Sequence, residues 1–89
     1  MSRISRELEL GETGCGRAMI GKDPGASRIS GGRTVVKARA GDDSGVLDLT
    51  FFNQEYRKNS LHRGETYIFC GKVEGNLLAR RMINPIVEQ

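Results

Sequence analysis

Along residues 46–52 apolar and polar side chains alternate, which is the signature of a strand with one buried face. Leu47, Leu49 and Phe51 share one face; Val46, Asp48, Thr50 and Phe52 share the other. Asp48 and Thr50 mark that second face as solvated, so Phe51 is expected in the core and Phe52 outside it. A phenyl ring on a polar sheet face needs a reason other than the core. The same parity runs through Arg33 to Ala40, where Val36, Ala38 and Ala40 oppose Val35, Lys37 and Arg39. A first strand is expected over Gly16 to Lys22, a fourth over Thr66 to Val73, and a fifth over Leu77 to Ile83, ended by Pro85.

The segments between these runs are turn-like. Asp42-Asp43-Ser44-Gly45 fits a tight hairpin, with glycine able to take a positive φ, and Glu74-Gly75-Asn76 is a second turn. Asp23 to Gly32 reads as a long flexible hairpin loop. Asn53 to Leu61 has low β propensity and is expected to form a short helix, closed by Gly64. The order β-β-β-α-β-β predicts an all-β domain, a five-stranded Greek-key barrel of the OB type with a short helix between strands 3 and 4. Residues 1–10 are expected to be a flexible N-terminal segment, 11–87 the barrel and 88–89 its C-terminal end. Gly14, Gly16 and Gly41 fall where a β-former would pack better. They are either bulges that help the barrel close or a weakness of the first strand.

Size sharpens this picture. Eighty-nine residues that are 37% hydrophobic supply one modest core and no more. Cys15 and Cys70 form no CxxC pair; a bridge is possible, but with no other sign of secretion two reduced thiols are expected. One His and two Cys do not fill a zinc site, and turn chemistry accounts for Asp42 and Asp43, so neither a metal nor a cofactor is expected. His62 stands alone without a paired nucleophile, and Gly11, Gly14 and Gly16 are followed by no helix pattern that would hold a dinucleotide.

The net charge of +3 is mild, but it is distributed in blocks. Arg17, Lys22, Arg28, Arg33, Lys37 and Arg39 stand against Asp23 alone, and a second basic block runs from Arg57 to Arg81. An acidic stretch with Asp42, Asp43, Asp48 and Glu55 separates them. The blocks are either one positive face or ordinary solvated charge.

The series Asp43-Ser44-Gly45, Phe51-Phe52-Asn53 with Tyr56 beyond, Leu61-His62-Arg63-Gly64, Gly71-Lys72-Val73 and Met82-Ile83-Asn84-Pro85 resembles the wedge domain of RecG-type helicases over about residues 33–87. The resemblance implies a domain that sits at a DNA branch point and splits strands while a separate ATP-driven motor pulls the duplex arms. It implies branched or single-stranded DNA and the motor domains of a parent chain as partners. It also implies a role in repair and recombination at stalled forks, and a cytoplasmic, nucleoid-associated bacterial setting. The family's junction-stacking aromatics fall on Phe52 and Tyr56. The chain has no G-x-x-x-x-G-K-[ST], so it is expected to be a non-catalytic piece of such an enzyme.

From the residues themselves, Phe52 and Tyr56 are either stacking rings for bases or packing for the barrel end and the short helix. Lys37 and Arg39 share the outward face of the second strand, where OB barrels run nucleic-acid backbone. Arg33, Lys22, Arg28, Arg57 and Lys58 are further candidates for phosphate contacts, each equally readable as a solvated charge. Arg80 and Arg81 point to opposite faces, so at most one joins them. Two other functions fit the same barrel: a free-standing module for single-stranded DNA or RNA, and a protein-interaction domain docking through Phe52.

Overall fold

β3 (Gly45–Phe52) keeps the alternation read from its residues: Leu47, Leu49 and Phe51 are buried, and Phe52 is half-buried on the opposite face. The structure is a computed structural model that describes residues 8–89. β3 lies in one curled mixed sheet with β1 (Thr13–Ile29), β2 (Arg33–Asp42), β4 (Thr66–Lys72), β5 (Glu74–Gly75), β6 (Arg80–Ile83) and β7 (Ile86–Glu88). The strand order is β5-β6-β3-β2-β1-β4-β7, and β3 with β6 is the parallel pair. The described residues therefore form a curled, half-barrel sheet of seven strands rather than a five-stranded barrel. The expected fifth strand is shorter and starts at Arg80, because Asn76 Oδ1 accepts the amides of Leu78 and Ala79 at 2.9 Å each and holds a turn there. β5 is the short partner across that turn. β7 is added where Asn84, at φ 51°, turns the chain onto the far edge of β4.

β1 is the element that curls the sheet. Its first half, Thr13 to Met19, pairs with β4 in unbroken register, and its second half pairs with β2. Register shifts between Ile20 and Lys22 and between Lys22 and Gly25 bend the strand from one neighbour to the other. These are the bulges of the first strand; Gly14 and Gly16 sit in regular ladder. A Cβ on Gly16 would lie 2.9 Å from Leu8 Cδ1, and one on Gly41 2.9 Å from the Gly45 carbonyl oxygen, so both glycines are sites of close approach. The expected loop from Asp23 to Gly32 is strand as far as Ile29, with a single 3-10 turn at Ser30–Gly32. Once the second bulge resets the register, Gly25 to Ile29 pairs with Arg33 to Lys37, and that ladder outweighs the poor β propensity of the segment.

The core gathers the inward residues of β1 to β4 and β6, with Leu61 and Val73. Leu8 joins them at 1% exposure, so the expected flexible segment is pinned at that point; its residues 1–7 lie outside the described part. Arg80 is buried beside it and donates Nε to the Leu8 carbonyl (2.8 Å) and Nη1 to that of Leu77 (3.3 Å). The expected helix over 53–61 contracts to one turn, α1 (Arg57–Ser60), because Asn53 at φ 57° and the Gln54–Arg57 hydrogen bond form a turn first. Buried Tyr67 anchors its end, accepting the His62 amide (2.9 Å) and donating to the Ser60 carbonyl (3.3 Å). In the β2–β3 hairpin the Asp42 carboxylate accepts the Ser44 amide (2.7 Å), the Ser44 hydroxyl (2.5 Å) and the Gly45 amide (3.1 Å).

The two cysteines are not reduced thiols. The β1–β4 register sets Cys15 directly opposite Cys70, with Cα atoms 4.1 Å apart, and the pair is disulfide-bonded. A separation of 55 positions hides that juxtaposition until the strands pair.

Candidate nucleic-acid interface

The pairing registers arrange the outward face of β1, β2, β3 and β6 into rows. One row is charged and runs Lys22, Arg39, Asp48, Arg81 and on to Glu74 of β5. The next is Gly25, Lys37, Thr50 and Ile83, and the third is Ser27, Val35 and Phe52. Ile29 and Arg33 end the sheet beyond them. The face thus passes from charged to apolar within three rows.

At its apolar end lies a groove of about 610 Å³ lined by Ser27, Ile29, Val35, Lys37, Thr50, Phe52, Arg81 and Ile83. Val35 has the outward parity of Lys37 and Arg39, yet it is only 6% exposed. Phe52 stands opposite it on β3 and Ser27 opposite it on β1, so the floor of the groove is an apolar island. The cations Lys37 and Arg81 flank that floor. A smaller recess of about 290 Å³, lined by Lys22, Asp23, Gly25, Lys37, Ala38 and Arg39, continues toward the charged row. A flat hydrophobic floor between cations accepts a planar aromatic group carrying an anionic tail, which is the chemistry of a nucleotide.

The candidate residues divide into two groups. Phe52, Lys37, Lys22 and Arg39 share this face, and Arg33 stands opposite Ile29 at its end. Arg39 is committed in part: its Nε donates to Asp48 Oδ1 at 2.7 Å and its Nη2 to Oδ2 at 3.4 Å. The hydrogen bond to Asp48, and then that carboxylate's charge, raise the Arg39 pKa above its ordinary value. Arg28 pairs with Thr34, one position out of phase with Val35, and so belongs to the opposite parity. Tyr56 and Arg57 form a separate unit. The Arg57 guanidinium lies 4.9 Å from the Tyr56 ring centroid and 5.1 Å from that of Phe51. The cation is thus stacked between a core ring and a ring that is 60% exposed. Lys58 is exposed on α1.

Polar side chains lie between the two groups. Asn84 Oδ1 accepts the Phe52 amide (2.7 Å) and Gln54 Nε2 (3.1 Å), and the Asn84 amide donates to the Thr50 carbonyl (2.7 Å). Gln54 Oε1 accepts the Tyr56 hydroxyl and Arg57 Nε, each at 3.1 Å. Sequence reasoning placed no binding role on Gln54, Asn84, Ile29 or Ile83, and left Arg81 as an alternative to Arg80 on the outward face. Strand parity carries a signal for Arg81 and Ile83, which stand opposite Asp48 and Thr50. Ile29 was hidden in what read as a loop. Among the described residues no group of three or more His, Cys, Asp or Glu side chains is placed to hold a metal, and no helix is long and apolar enough to cross a membrane.

Comparison with known proteins places this fold. No protein-family model matches the chain, and no curated protein sequence matches it. Among solved structures, the chain superposes on part of RecG bound to a three-way DNA junction with a TM-score of 0.73 and 21% identity. That match covers 90% of this chain and 11% of the RecG chain. It also superposes on a deletion mutant of the single-stranded DNA-binding protein from Thermus aquaticus, with a TM-score of 0.68 and 14% identity over 86% of this chain and 40% of the other. The chain has the fold of an OB domain like the one in RecG, and it spans about a tenth of that protein's length.

Proposed function

We propose that this chain is a non-catalytic, DNA-binding OB domain that engages branched DNA, with Phe52 as the ring on which a base stacks. The observation that carries the proposal is the groove in which Phe52, Val35, Ile29 and Ile83 form an apolar floor flanked by Lys37 and Arg81. The fold it shares with a protein captured on a three-way junction supports branched DNA as the target.

In this reading a base pair opened at a branch point places its exposed face against Phe52, and Tyr56 offers a second ring beyond Asn84 and Gln54. Base–aromatic stacking contributes about 1–3 kcal/mol per base and is indifferent to sequence. Lys22, Lys37, Arg33 and Arg81 neutralise backbone phosphates along the same face, with Arg39 joining when its bond to Asp48 is exchanged. Such contacts position the strand without reading it, so affinity follows DNA shape and falls steeply with salt. Motor domains elsewhere in a longer chain would supply ATP hydrolysis and translocation, in a bacterial cytoplasm and for fork repair and recombination.

A second reading, a module for plain single strands, is favoured by the fold shared with the Thermus aquaticus protein. The two separate in one experiment: affinity for a three-way junction, a blunt duplex and a single strand, each at two salt concentrations, with Phe52→Ala alongside. Preference for the junction over both other ligands, lost in the variant, supports the first reading. Tight, length-dependent binding to the single strand alone supports the second. Binding of the junction by the variant as tightly as by the parent overturns the stacking role of Phe52.

A further inference from the structure

Phe52 and Tyr56 stand four positions apart, and a continuous chain of hydrogen bonds joins the strand that ends in one to the turn that carries the other. It begins at the Thr50 carbonyl, which accepts the Asn84 amide at 2.7 Å. Asn84 Oδ1 then accepts both the Phe52 amide (2.7 Å) and Gln54 Nε2 (3.1 Å). Gln54 Oε1 in turn accepts the Tyr56 hydroxyl and Arg57 Nε, both at 3.1 Å. Every link lies between a polar group and a complementary one, and Asn84 and Gln54 each use their side-chain oxygen twice.

The backbone explains why Asn84 can do this. It sits at φ 51°, a left-handed conformation that asparagine adopts more readily than other residues with a side chain. That conformation turns the chain out of β6, so that Asn84, more than thirty positions away in sequence, meets the end of β3 rather than continuing the ladder. Arg57 completes the arrangement. Held by Gln54, its guanidinium lies between the Phe51 and Tyr56 rings, fixing Tyr56 relative to the core.

We infer that Asn84 and Gln54 are positioning residues that hold Phe52 and Tyr56 as one preorganised pair for a branched-DNA ligand. The inference rests on the stacking reading above. It goes beyond it by assigning the spacing of the two rings to side chains that touch no base. In a binding site, ordering a ring before the ligand arrives removes an entropic cost from association, so loss of the links appears in affinity more than in stability.

The test uses the 89-residue chain and a fluorescently labelled three-way DNA junction. Asn84→Gly keeps a residue suited to positive φ and deletes the shared acceptor. The expected result is a five- to tenfold loss of junction affinity, about what one hydrogen bond is worth. The melting temperature and the salt dependence should stay close to the parent's, since no phosphate contact is removed. In a Phe52→Ala background the same substitution should change affinity by no more than about two- to threefold, the share that runs through Gln54 to Tyr56, because the larger share acts through the ring that is gone. Equal losses in both backgrounds overturn the inference, and so does unchanged affinity of Asn84→Gly where Phe52→Ala weakens binding. If Phe52→Ala itself binds as the parent does, the stacking reading fails as well, which is a distinguishable result. Gln54→Met leaves the Phe52 amide bonded to Asn84 and removes the bridge from Asn84 to the Tyr56 hydroxyl and to Arg57, which together hold the Tyr56 ring. It should weaken junction binding about two- to threefold in the parent and not in Tyr56→Ala. Should Asn84→Gly not fold, full junction affinity in Gln54→Met overturns the coupling.

Discussion

β2 and β3 present two faces made from the same residues in alternation, and the faces answer to different demands. Inward, Val36, Ala38, Leu47, Leu49 and Phe51 are all in the core cluster. Outward, one position along, Val35 and Phe52 form an apolar island beside Lys37, Arg39 and Asp48. An apolar inward face lowers the free energy of the domain by itself. An apolar island in an otherwise charged face leaves a groove whose floor is wetted until something covers it. The first face is complete in the chain alone, and in the proposed reading a DNA ligand completes the second.

The largest expected effect contrasts Phe51 with its neighbour. Phe51→Ala should cost about 3–5 kcal/mol, the usual loss for a buried phenyl ring. A domain this small holds roughly that much stability in total, so the variant should be largely unfolded at 25 °C in a urea titration followed by circular dichroism. Phe52→Ala should unfold close to the parent. Equal destabilisation by both substitutions would make the two faces parts of one core.

The outward face is itself divided. Where β1 meets β4 it is cross-linked by Cys15–Cys70, whereas the β2–β3 end carries no covalent tie among the described residues. Removing a cross-link that closes so long a loop costs about 2–4 kcal/mol. Cys15→Ser should therefore lower the melting temperature by roughly 10 °C or more, and reducing the parent with a dithiol should reproduce the shift. Junction affinity at a temperature where both forms are folded should not change, because the disulfide lies outside the groove.

How much of this was legible beforehand follows the same division. Parity within one strand separated Phe51 from Phe52 and Arg80 from Arg81, because a period of two is a local property. The OB fold was legible for a similar reason, since turn residues punctuate its hairpins. What was not legible depends on pairing between distant segments. The Cys15–Cys70 bond, the burial of Val35 and the partnership of Asn84 with Phe52 each follow from a register. The bulges of β1 also exceeded local reading: Pro24 and Gly25 resemble a loop until the shift between Lys22 and Gly25 lets the strand resume. Phe52 and Tyr56 were read together as stacking or packing rings, but the stacking of Tyr56 with Arg57 and its link to the Phe52 amide through Gln54 and Asn84 were not legible.

For the ligand-facing side, Phe52→Ala should weaken junction binding by the value of one stacked base, about 1–3 kcal/mol or roughly five- to 150-fold. Its salt dependence should remain that of the parent. A loss confined to high salt would instead mark Phe52 as a packing residue that merely supports the cations around it.

The smallest expected effect has the opposite sign and tests the charged row. Asp48 stands between Arg39 and Arg81 in the register, and Arg39 donates two hydrogen bonds to it. The pair is exposed, so its contribution to stability is small and screened by salt. Its effect on the face is larger, since one carboxylate offsets the cations on either side of it. Asp48→Asn keeps the shape, removes the charge and leaves Arg39 a weaker acceptor to hold. If phosphates run along this row, junction affinity should rise about two- to fivefold and the salt slope should steepen by up to about one unit, as each added phosphate contact requires. Lys37→Ala should move both quantities the other way. Asp48→Asn with unchanged affinity and slope would restrict backbone contacts to the rows nearer Phe52 and leave Arg39 as a partner of the sheet alone.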